Sequence, residues 1–271
     1  MKAQNKTLVV TGGGSGIGRE LTLQLLAKGA RVAAVDLNEA TLQETARLAG
    51  EGQDRLSTHV LNITDQAAVA ALPGQVIARH GAVDGVINNA GIIQPFVRVN
   101  DLELAAIERV LQVNLYGPIY MVKAFLPHLL QRPEAHIVNI SSMGGFFPVP
   151  GQTLYGASKA AVKLLTEGLY AELLETSVHV TVVFPGAVGT NIAQNSGVNI
   201  QIPGRDPKQQ AHSFSAVTPQ IAAETIIAGM ERDKFQVYVG RDAGMMNLFY
   251  RLTPRRATNF MFKQMKALLP D

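Results

Sequence analysis

The chain has 271 residues and no cysteine, which excludes disulfides, thiolate catalysis and metal sites built on cysteine. Its 47% hydrophobic and 17% charged residues are typical of a folded globular protein. The net charge is only +3, and Lys and Arg residues occur along the whole chain, so we expect no nucleic-acid partner. No apolar run reaches the roughly 18 residues of a membrane-spanning helix, and no signal-like segment precedes the first strand, so we expect a cytoplasmic protein.

Short apolar runs rich in β-branched residues alternate with segments of helical periodicity along the chain. The predicted strands are residues 7–11, 31–36, 56–61, 83–88, 136–141, 178–184 and 235–239, and the predicted helices are residues 17–28, 39–49, 66–80, 102–130, 153–175 and 219–232. Continuous apolar strands are typical of parallel sheets that are buried on both faces. The pattern predicts an α/β fold: a single doubly wound Rossmann-type domain over residues 1–271, with a seven-stranded parallel sheet and helices on both faces.

Two stretches depart from this alternation. Residues 189–216 are rich in Gly, Asn, Gln, Pro and Ser, and so long a connection indicates a substrate loop. The C-terminal tail, residues 245–271, mixes aromatic and basic side chains. A membrane-surface helix is one interpretation of the tail. We expect instead that it packs on a neighbouring subunit or covers the substrate cleft, without membrane contact.

A glycine-rich turn links the first strand to the first helix. It supplies the predicted phosphate-binding residues Gly12, Gly14, Ser15, Gly16, Ile17 and Gly18. Glycines let backbone N–H groups approach a pyrophosphate, and the helix N-terminus adds unpaired donors and partial positive charge. A tight turn alone would look the same, but this strand–turn–helix context favours a dinucleotide site.

Asp36 ends the second strand, where a carboxylate can accept hydrogen bonds from ribose hydroxyls and repel a 2′-phosphate. Leu37 and Asn38 follow it, with no Lys or Arg. The alternative interpretation is that Asp36 caps the next helix. The pattern favours NAD over NADP as the cofactor.

Tyr155 and Lys159 lie four residues apart on a predicted helix and therefore share one face. A nearby ammonium favours the phenolate and lowers the pKa of the phenol, which is about 10 in a free tyrosine. A phenol tuned towards neutral pH suits proton transfer between an alcohol and a ketone. Such pairs are common on helix surfaces, so this pair gains meaning only from its context.

In its order of motifs the sequence resembles the short-chain dehydrogenase/reductase family, in its standard-length branch. The resemblance covers about residues 6–240 and rests on motifs in the family's order and spacing: Thr11-Gly-x-x-x-Gly-x-Gly18, Asn88-Asn89-Ala90-Gly91, Asn114, Ser142, Tyr155-x-x-x-Lys159 and Pro185-Gly186. Each motif is weak alone, but the combination is specific.

The resemblance implies roles for four catalytic residues. Tyr155 would be the general acid/base, and Lys159 would lower its pKa and hold the nicotinamide ribose. Ser142 would hydrogen-bond the substrate oxygen, with Ser141 as its structural neighbour. Asn114 would maintain a water-linked proton path to Lys159.

The same resemblance completes the expected cofactor site. It adds to the glycine-rich turn and Asp36 the residues Leu37, Asn62, Ile63, Asn89, Ala90, Gly91, Tyr155, Lys159, Pro185, Gly186, Val188 and Thr190. Asn62 is a departure, since the family commonly has an Asp there. Asn88 would stabilise the central sheet. No metal is expected, because the six histidines show no ligand spacing.

Together these features predict an oxidoreductase that moves a hydride between NAD(H) and a secondary alcohol or ketone. Residues 143–150 and 94–96 suggest a hydrophobic substrate, unless Phe146 and Phe147 pack in the core instead. The alternatives are an NADPH-dependent ketone reductase, a non-catalytic dinucleotide-binding regulator, and an epimerase or dehydratase. By family resemblance we expect a homodimer or homotetramer formed through residues 102–130 and 153–175.

Overall fold

A computed structural model describes residues 1–198 and 217–269 as seven parallel strands and, within those ranges, ten α-helices. The strand order is β3-β2-β1-β4-β5-β6-β7. Helices cover both faces of this sheet, so the predicted doubly wound Rossmann-type fold is confirmed. No helix in the described ranges is long and apolar enough to cross a membrane.

The strands are β1 (Thr7–Thr11), β2 (Arg31–Asp36), β3 (Leu56–Val60), β4 (Gly85–Asn88), β5 (Ala135–Ile140), β6 (Val178–Pro185) and β7 (Gln236–Val239). The helices are α1 (Gly16–Ala27), α2 (Glu39–Leu48), α3 (Gln66–His80), α4 (Leu104–Leu111), α5 (Gly117–Leu129), α6 (Thr153–Glu172), α7 (Ile192–Asn195), α8 (Pro219–Glu231), α9 (Arg241–Leu252) and α10 (Pro254–Met265).

The sheet is buried on both faces because its strands carry apolar side chains in both directions. All residues of β1 and β5 are buried. One core joins the sheet to α1, α2 and α8, and a second joins it to α3, α5 and α6. Each fully buried Val or Leu side chain contributes about 1.5–3 kcal/mol to these cores. All carboxyl ends of the parallel strands meet at one edge, which is where the loops of the site converge.

The predicted helix over residues 102–130 is wrong as a single element. A π-helical turn at Gln112–Tyr116 separates α4 from α5 and contains Asn114. Pro118 has no N–H to donate to the carbonyl of Asn114, so one regular α-helical hydrogen bond is missing at this point. The wider turn buries the Asn114 side chain completely.

The C-terminal tail folds as the hairpin α9–α10, which packs on the segment that follows Ser142. Phe147 is fully buried there, and its ring lies 5.8 Å from that of Tyr250. Phe146 packs edge-on against Phe184 at 5.4 Å. The expectation that Phe146 and Phe147 line a substrate pocket is therefore wrong, and the alternative core position is confirmed. A third apolar cluster, formed with the hairpin, takes up both rings.

Candidate active site

The glycine-rich turn between β1 and α1 is held in a shape that only glycine allows at key positions. Gly12 and Gly16 have φ angles of +69° and +52°. A Cβ on Gly18 would collide with the Gly12 carbonyl oxygen and lie 2.6 Å from Asn89 Nδ2. The turn is therefore packed tightly against the end of β4, and it leaves backbone N–H groups free at the start of α1. This cradle fits the pyrophosphate of a dinucleotide.

Asp36 braces this turn from the end of β2. Its carboxylate accepts hydrogen bonds from the backbone N–H groups of Gly14 at 2.9 Å and Asn38 at 3.1 Å. The α2 cap is Asn38, whose side chain accepts from the Thr41 N–H at 3.2 Å. The alternative interpretation of Asp36 as the helix cap is therefore wrong. Its carboxylate lies half-buried at the edge of a cleft, beside the exposed Leu37.

The segment after β4 is fixed to the end of β1. The Thr11 hydroxyl accepts from the N–H groups of Asn89 at 3.0 Å and Ala90 at 3.1 Å. The Asn89 side chain donates to the Thr11 carbonyl at 3.0 Å. Deeper in the sheet, Asn88 donates to the Asn139 side chain at 2.8 Å. These bonds hold the Asn89–Ala90–Gly91 backbone along the cleft wall.

Lys159 ties α6 to the end of β5. Its ammonium donates to the Ile140 carbonyl at 2.9 Å, and only 4% of the residue is exposed. The Ser141 hydroxyl donates in return to the Lys159 carbonyl at 2.7 Å. Burial lowers the pKa of Lys159 from 10.5 to about 8, because the apolar surroundings disfavour the charged form.

Tyr155 lies one helical turn before Lys159, beside Ser142. A Cβ on Gly144 would lie 3.4 Å from the Tyr155 ring and 3.5 Å from Ser142 Oγ, so both groups flank the same bare backbone. Burial raises the pKa of Tyr155, and a hydrogen bond with Ser142 lowers it by a smaller amount. The resemblance implied that Lys159 lowers the pKa of Tyr155, but in this structure the net shift is upward. Without a further positive charge, the phenol stays protonated at neutral pH.

Asn114 joins three parts of the site. Its side-chain oxygen accepts from the Ile92 N–H at 2.8 Å, and its amide donates to the Ile92 carbonyl at 2.9 Å and to Ser158 Oγ at 3.1 Å. A Cβ on Gly91 would lie 3.3 Å from Asn114 Oδ1 and 3.1 Å from Lys159 Nζ. The π-helical turn therefore places the Asn114 amide and the Lys159 ammonium on either side of the bare Gly91 backbone.

Gln94 has a role that the sequence did not indicate. We expected it in the substrate pocket, but it is 1% exposed and caps the helix that carries Tyr155. Its side-chain oxygen accepts from the N–H groups of Leu154 at 2.8 Å and Tyr155 at 3.0 Å, and its amide donates to the Gly151 carbonyl at 3.1 Å. Gln152 donates back to the Gln94 carbonyl at 2.7 Å. The sequence feature that comes closest to indicating this role of Gln94 is its position just after the Asn-Asn-Ala-Gly motif.

These elements enclose a cleft of about 1190 Å³. The predicted residues that line it are Gly12, Ser15, Gly16, Ile17, Asp36, Leu37, Asn62, Ile63, Asn89, Ala90, Gly91, Ser142, Tyr155, Lys159, Pro185, Gly186, Val188 and Thr190. Gly14, Gly18 and Asn114 lie behind the wall and support it. Among the lining residues that the sequence did not indicate are Arg109, Gln112 and Val113, which precede Asn114 by five, two and one residues.

The segment after β6 crosses the cleft. The Asn195 side chain donates to Ser15 Oγ at 3.0 Å, and the Ile93 N–H donates to Ser196 Oγ at 3.0 Å. This segment thus contacts both the glycine-rich turn and the Gly91 side. Of the predicted substrate loop at 189–216, residues 199–216 lie outside the described ranges.

Comparison with known proteins gives concordant matches. Residues 6–200 match the family model described as short chain dehydrogenase. SadH of Mycobacterium tuberculosis, a protein named as an oxidoreductase, is 38% identical over 255 residues, which are 92% of this chain and 91% of SadH.

Two solved structures are also similar. One is a short chain dehydrogenase/reductase from Burkholderia phymatum in complex with NAD, with a TM-score of 0.85, 25% identity and coverage of 94% of this chain and 96% of that one. The other is a serine dehydrogenase complexed with NADP⁺, with a TM-score of 0.71, 30% identity and coverage of 80% and 86%.

Substituting Gln94→Leu should destabilise the start of α6, because two buried N–H groups lose their acceptor. We expect a loss of about 2 kcal/mol in the free energy of unfolding, measured by urea denaturation. Amide hydrogen exchange at Leu154 and Tyr155 should accelerate selectively. In the matched control Gln152→Leu, which removes one donated bond, both effects should be smaller. Equal protection of the two amides in Gln94→Leu and the wild type would contradict the capping role.

Proposed function

Since the chain belongs to the short-chain dehydrogenase/reductase family, we propose that it transfers a hydride between NAD(H) and a secondary alcohol or ketone. The chain is an oxidoreductase of this family, with a nicotinamide dinucleotide as its cofactor. The observation that carries the finer proposal is that Tyr155, Ser142 and Lys159 share one cleft with the glycine-rich turn and Asp36.

In this proposal the side chains bind, orient and move a proton. Ser142 holds the substrate oxygen by a hydrogen bond, and Tyr155 donates its proton to that oxygen in reduction or removes it in oxidation. Lys159 places a positive charge behind the phenol, and Asn114 positions it. The cofactor supplies or accepts the hydride, while the protein contributes orientation and electrostatics.

The Asp36 carboxylate supports NAD rather than NADP. It stands at the end of β2, and Leu37 beside it is 68% exposed. Among the described residues, the only Lys or Arg side chains that line the cleft are Arg109 and Lys159, which lie on α4 and α6 and not beside Asp36. A 2′-phosphate would therefore meet a carboxylate with no cation on β2 or its following loop. The Arg19 guanidinium of α1 is bound to the Gly14 and Thr41 carbonyls and does not line the cleft. The similar serine dehydrogenase was solved with NADP⁺ bound, so the preference of this chain between the two cofactors has to be measured.

We expect wild-type protein to bind NADH at least about tenfold more tightly than NADPH, since a carboxylate repels the extra phosphate. Titration of cofactor fluorescence measures both affinities. Asp36→Asn keeps an acceptor for the Gly14 N–H but removes the charge, so it should strengthen NADPH binding with little effect on NADH. Tighter binding of NADPH than NADH by the wild type would favour the alternative, an NADPH-dependent reductase.

Apolar side chains at the cleft support a hydrophobic substrate. Ile92, Ile93, Val188 and Ile192 line it, and Ile93 and Ile192 belong to the two segments that meet across it. The substrate class is therefore best sought among secondary alcohols and ketones of graded apolar size. Turnover of small polar polyols alone would overturn the hydrophobic part of the proposal.

Tyr155→Phe should lower turnover by about 10²–10⁴-fold, because the proton-transfer group is lost while the ring remains. The measurement is reduced-nicotinamide absorbance across the alcohol and ketone series, together with NADH titration, which should be unchanged. Tyr170→Phe, on the outer part of the same helix, is the matched control. Full turnover by Tyr155→Phe would contradict the assigned chemistry, and cofactor binding without any wild-type turnover would favour a non-catalytic regulator.

We also propose a homo-oligomer that forms through α4 and α6. Leu104 on α4 is 75% exposed, and Leu164 and Leu174 at α6 and its end are 69% and 63% exposed. Burial of such side chains against a second copy removes apolar area from water.

A further inference from the structure

Helix α9 carries apolar side chains on two opposite faces. Its inner face, with Met246 and Tyr250, packs on Phe147 and the rest of the third apolar cluster. On its outer face, Met245, Leu248 and Leu252 are 64%, 61% and 72% exposed. Their spacing of three and four residues aligns them in one stripe along the helix. The solvent-facing side of a helix is normally polar, so an exposed apolar stripe of this kind marks an interaction site.

Helix α10 adds positive charge beside this stripe. Arg255, Arg256 and Lys263 are exposed on its outer face. Phe260 and Phe262 flank them and are 42% and 50% exposed. None of the three cations forms an ion pair with another described residue. The exposed surface of the α9–α10 hairpin thus carries aliphatic, aromatic and cationic side chains.

The net positive charge of this hairpin exceeds that of the whole chain. Residues 241–265 hold five Arg or Lys and one Asp, a net charge of +4, so the remainder of a chain whose total is +3 carries −1. The single carboxylate, Asp242, accepts a hydrogen bond from the Ala187 N–H at 3.1 Å on the inner side. The outer face therefore presents cations that no acidic residue of the hairpin offsets.

A second copy of the chain is a poor occupant for this face. A two-fold interface places the same patch of both subunits together, so the three cations of one α10 would face those of the other. Like charges brought together in an interface cost several kcal/mol. An anionic surface that also accepts apolar side chains satisfies both features of the hairpin.

We propose that the α9–α10 hairpin docks the protein on the surface of an anionic phospholipid bilayer. Met245, Leu248 and Leu252 enter the boundary between headgroups and acyl chains. Arg255, Arg256 and Lys263 contact the lipid phosphates. The hairpin lies in the membrane plane and does not span it. This docking does not depend on the reaction proposed above.

Sedimentation of the full chain with sucrose-loaded vesicles tests the proposal. The vesicles are phosphatidylcholine alone, or equal parts phosphatidylcholine and phosphatidylglycerol. We expect binding to the anionic vesicles only. The triple variant Met245→Ser/Leu248→Ser/Leu252→Ser should weaken binding about tenfold or more. Arg255→Gln/Arg256→Gln/Lys263→Gln should weaken it on the order of 100-fold, because each basic residue near an anionic surface contributes a factor of about five.

A matched control replaces exposed aliphatic residues elsewhere: Leu48→Ser/Val99→Ser/Ile221→Ser, at side chains 43%, 51% and 53% exposed. It should bind vesicles like the wild type. Circular dichroism and thermal unfolding should show all three variants folded, since the changed side chains are exposed. Light scattering measures their oligomeric state in parallel.

Three outcomes overturn the proposal. They are absence of vesicle binding by the wild type, equal binding to neutral and anionic vesicles, and equal loss of binding in the control variant. If the hairpin substitutions instead dissociate an oligomer of a wild type that binds no vesicles, the face is an interface between copies.

Discussion

The Lys159 ammonium is almost fully withdrawn from water and donates to a backbone carbonyl of β5 at 2.9 Å. An isolated buried charge is costly, so this side chain is stable only where the backbone supplies its acceptor. The bond fixes α6 on the end of β5, and Tyr155 one turn earlier is placed with it. Burial also brings the pKa of the ammonium down to about 8, within reach of physiological pH. Burial of the Lys159 ammonium thus both fixes the position of Tyr155 and lowers the pKa of Lys159.

Other bonds to backbone groups hold the remaining parts of the site around this centre. Ser141 returns a bond to the Lys159 carbonyl, Gln94 caps the start of α6, and Asn114 clamps the Ile92 peptide. Each of these side chains comes from a different strand end or helix, and the parallel sheet brings them to one edge. Such a network orients the reactive groups before any substrate arrives, so less ordering is required during the reaction.

The sequence predicted the fold well, because strand and helix periodicity is a local property. β1 and β2 have the predicted bounds, and all seven strands and their order in the chain are found. It also indicated half of the residues that line the cleft. The glycine-rich turn and Asp36 were found from local patterns, and most of the others were implied by the family resemblance. The break at Gln112–Tyr116 and the capping by Gln94 were not predicted, and the burial of Phe147 stood only as the alternative to a pocket position. The break lies beside Pro118, a local signal that the helical periodicity of residues 102–130 concealed. The capping and the burial depend on contacts between segments far apart in the chain, which no local pattern encodes. For the same reason the tail sequence could not indicate which face of α9 would remain exposed.

The titration of the Lys159 ammonium tests this account most directly, and it requires no substrate. Lysine side-chain nitrogen resonances of the full chain can be followed with pH by NMR, and the Lys159 signal is assigned by its loss in Lys159→Met. The account predicts a midpoint near 8, well below the ordinary value of 10.5. A midpoint near 10.5 would show that the ammonium is solvated, and would contradict a buried charge at the centre of the site.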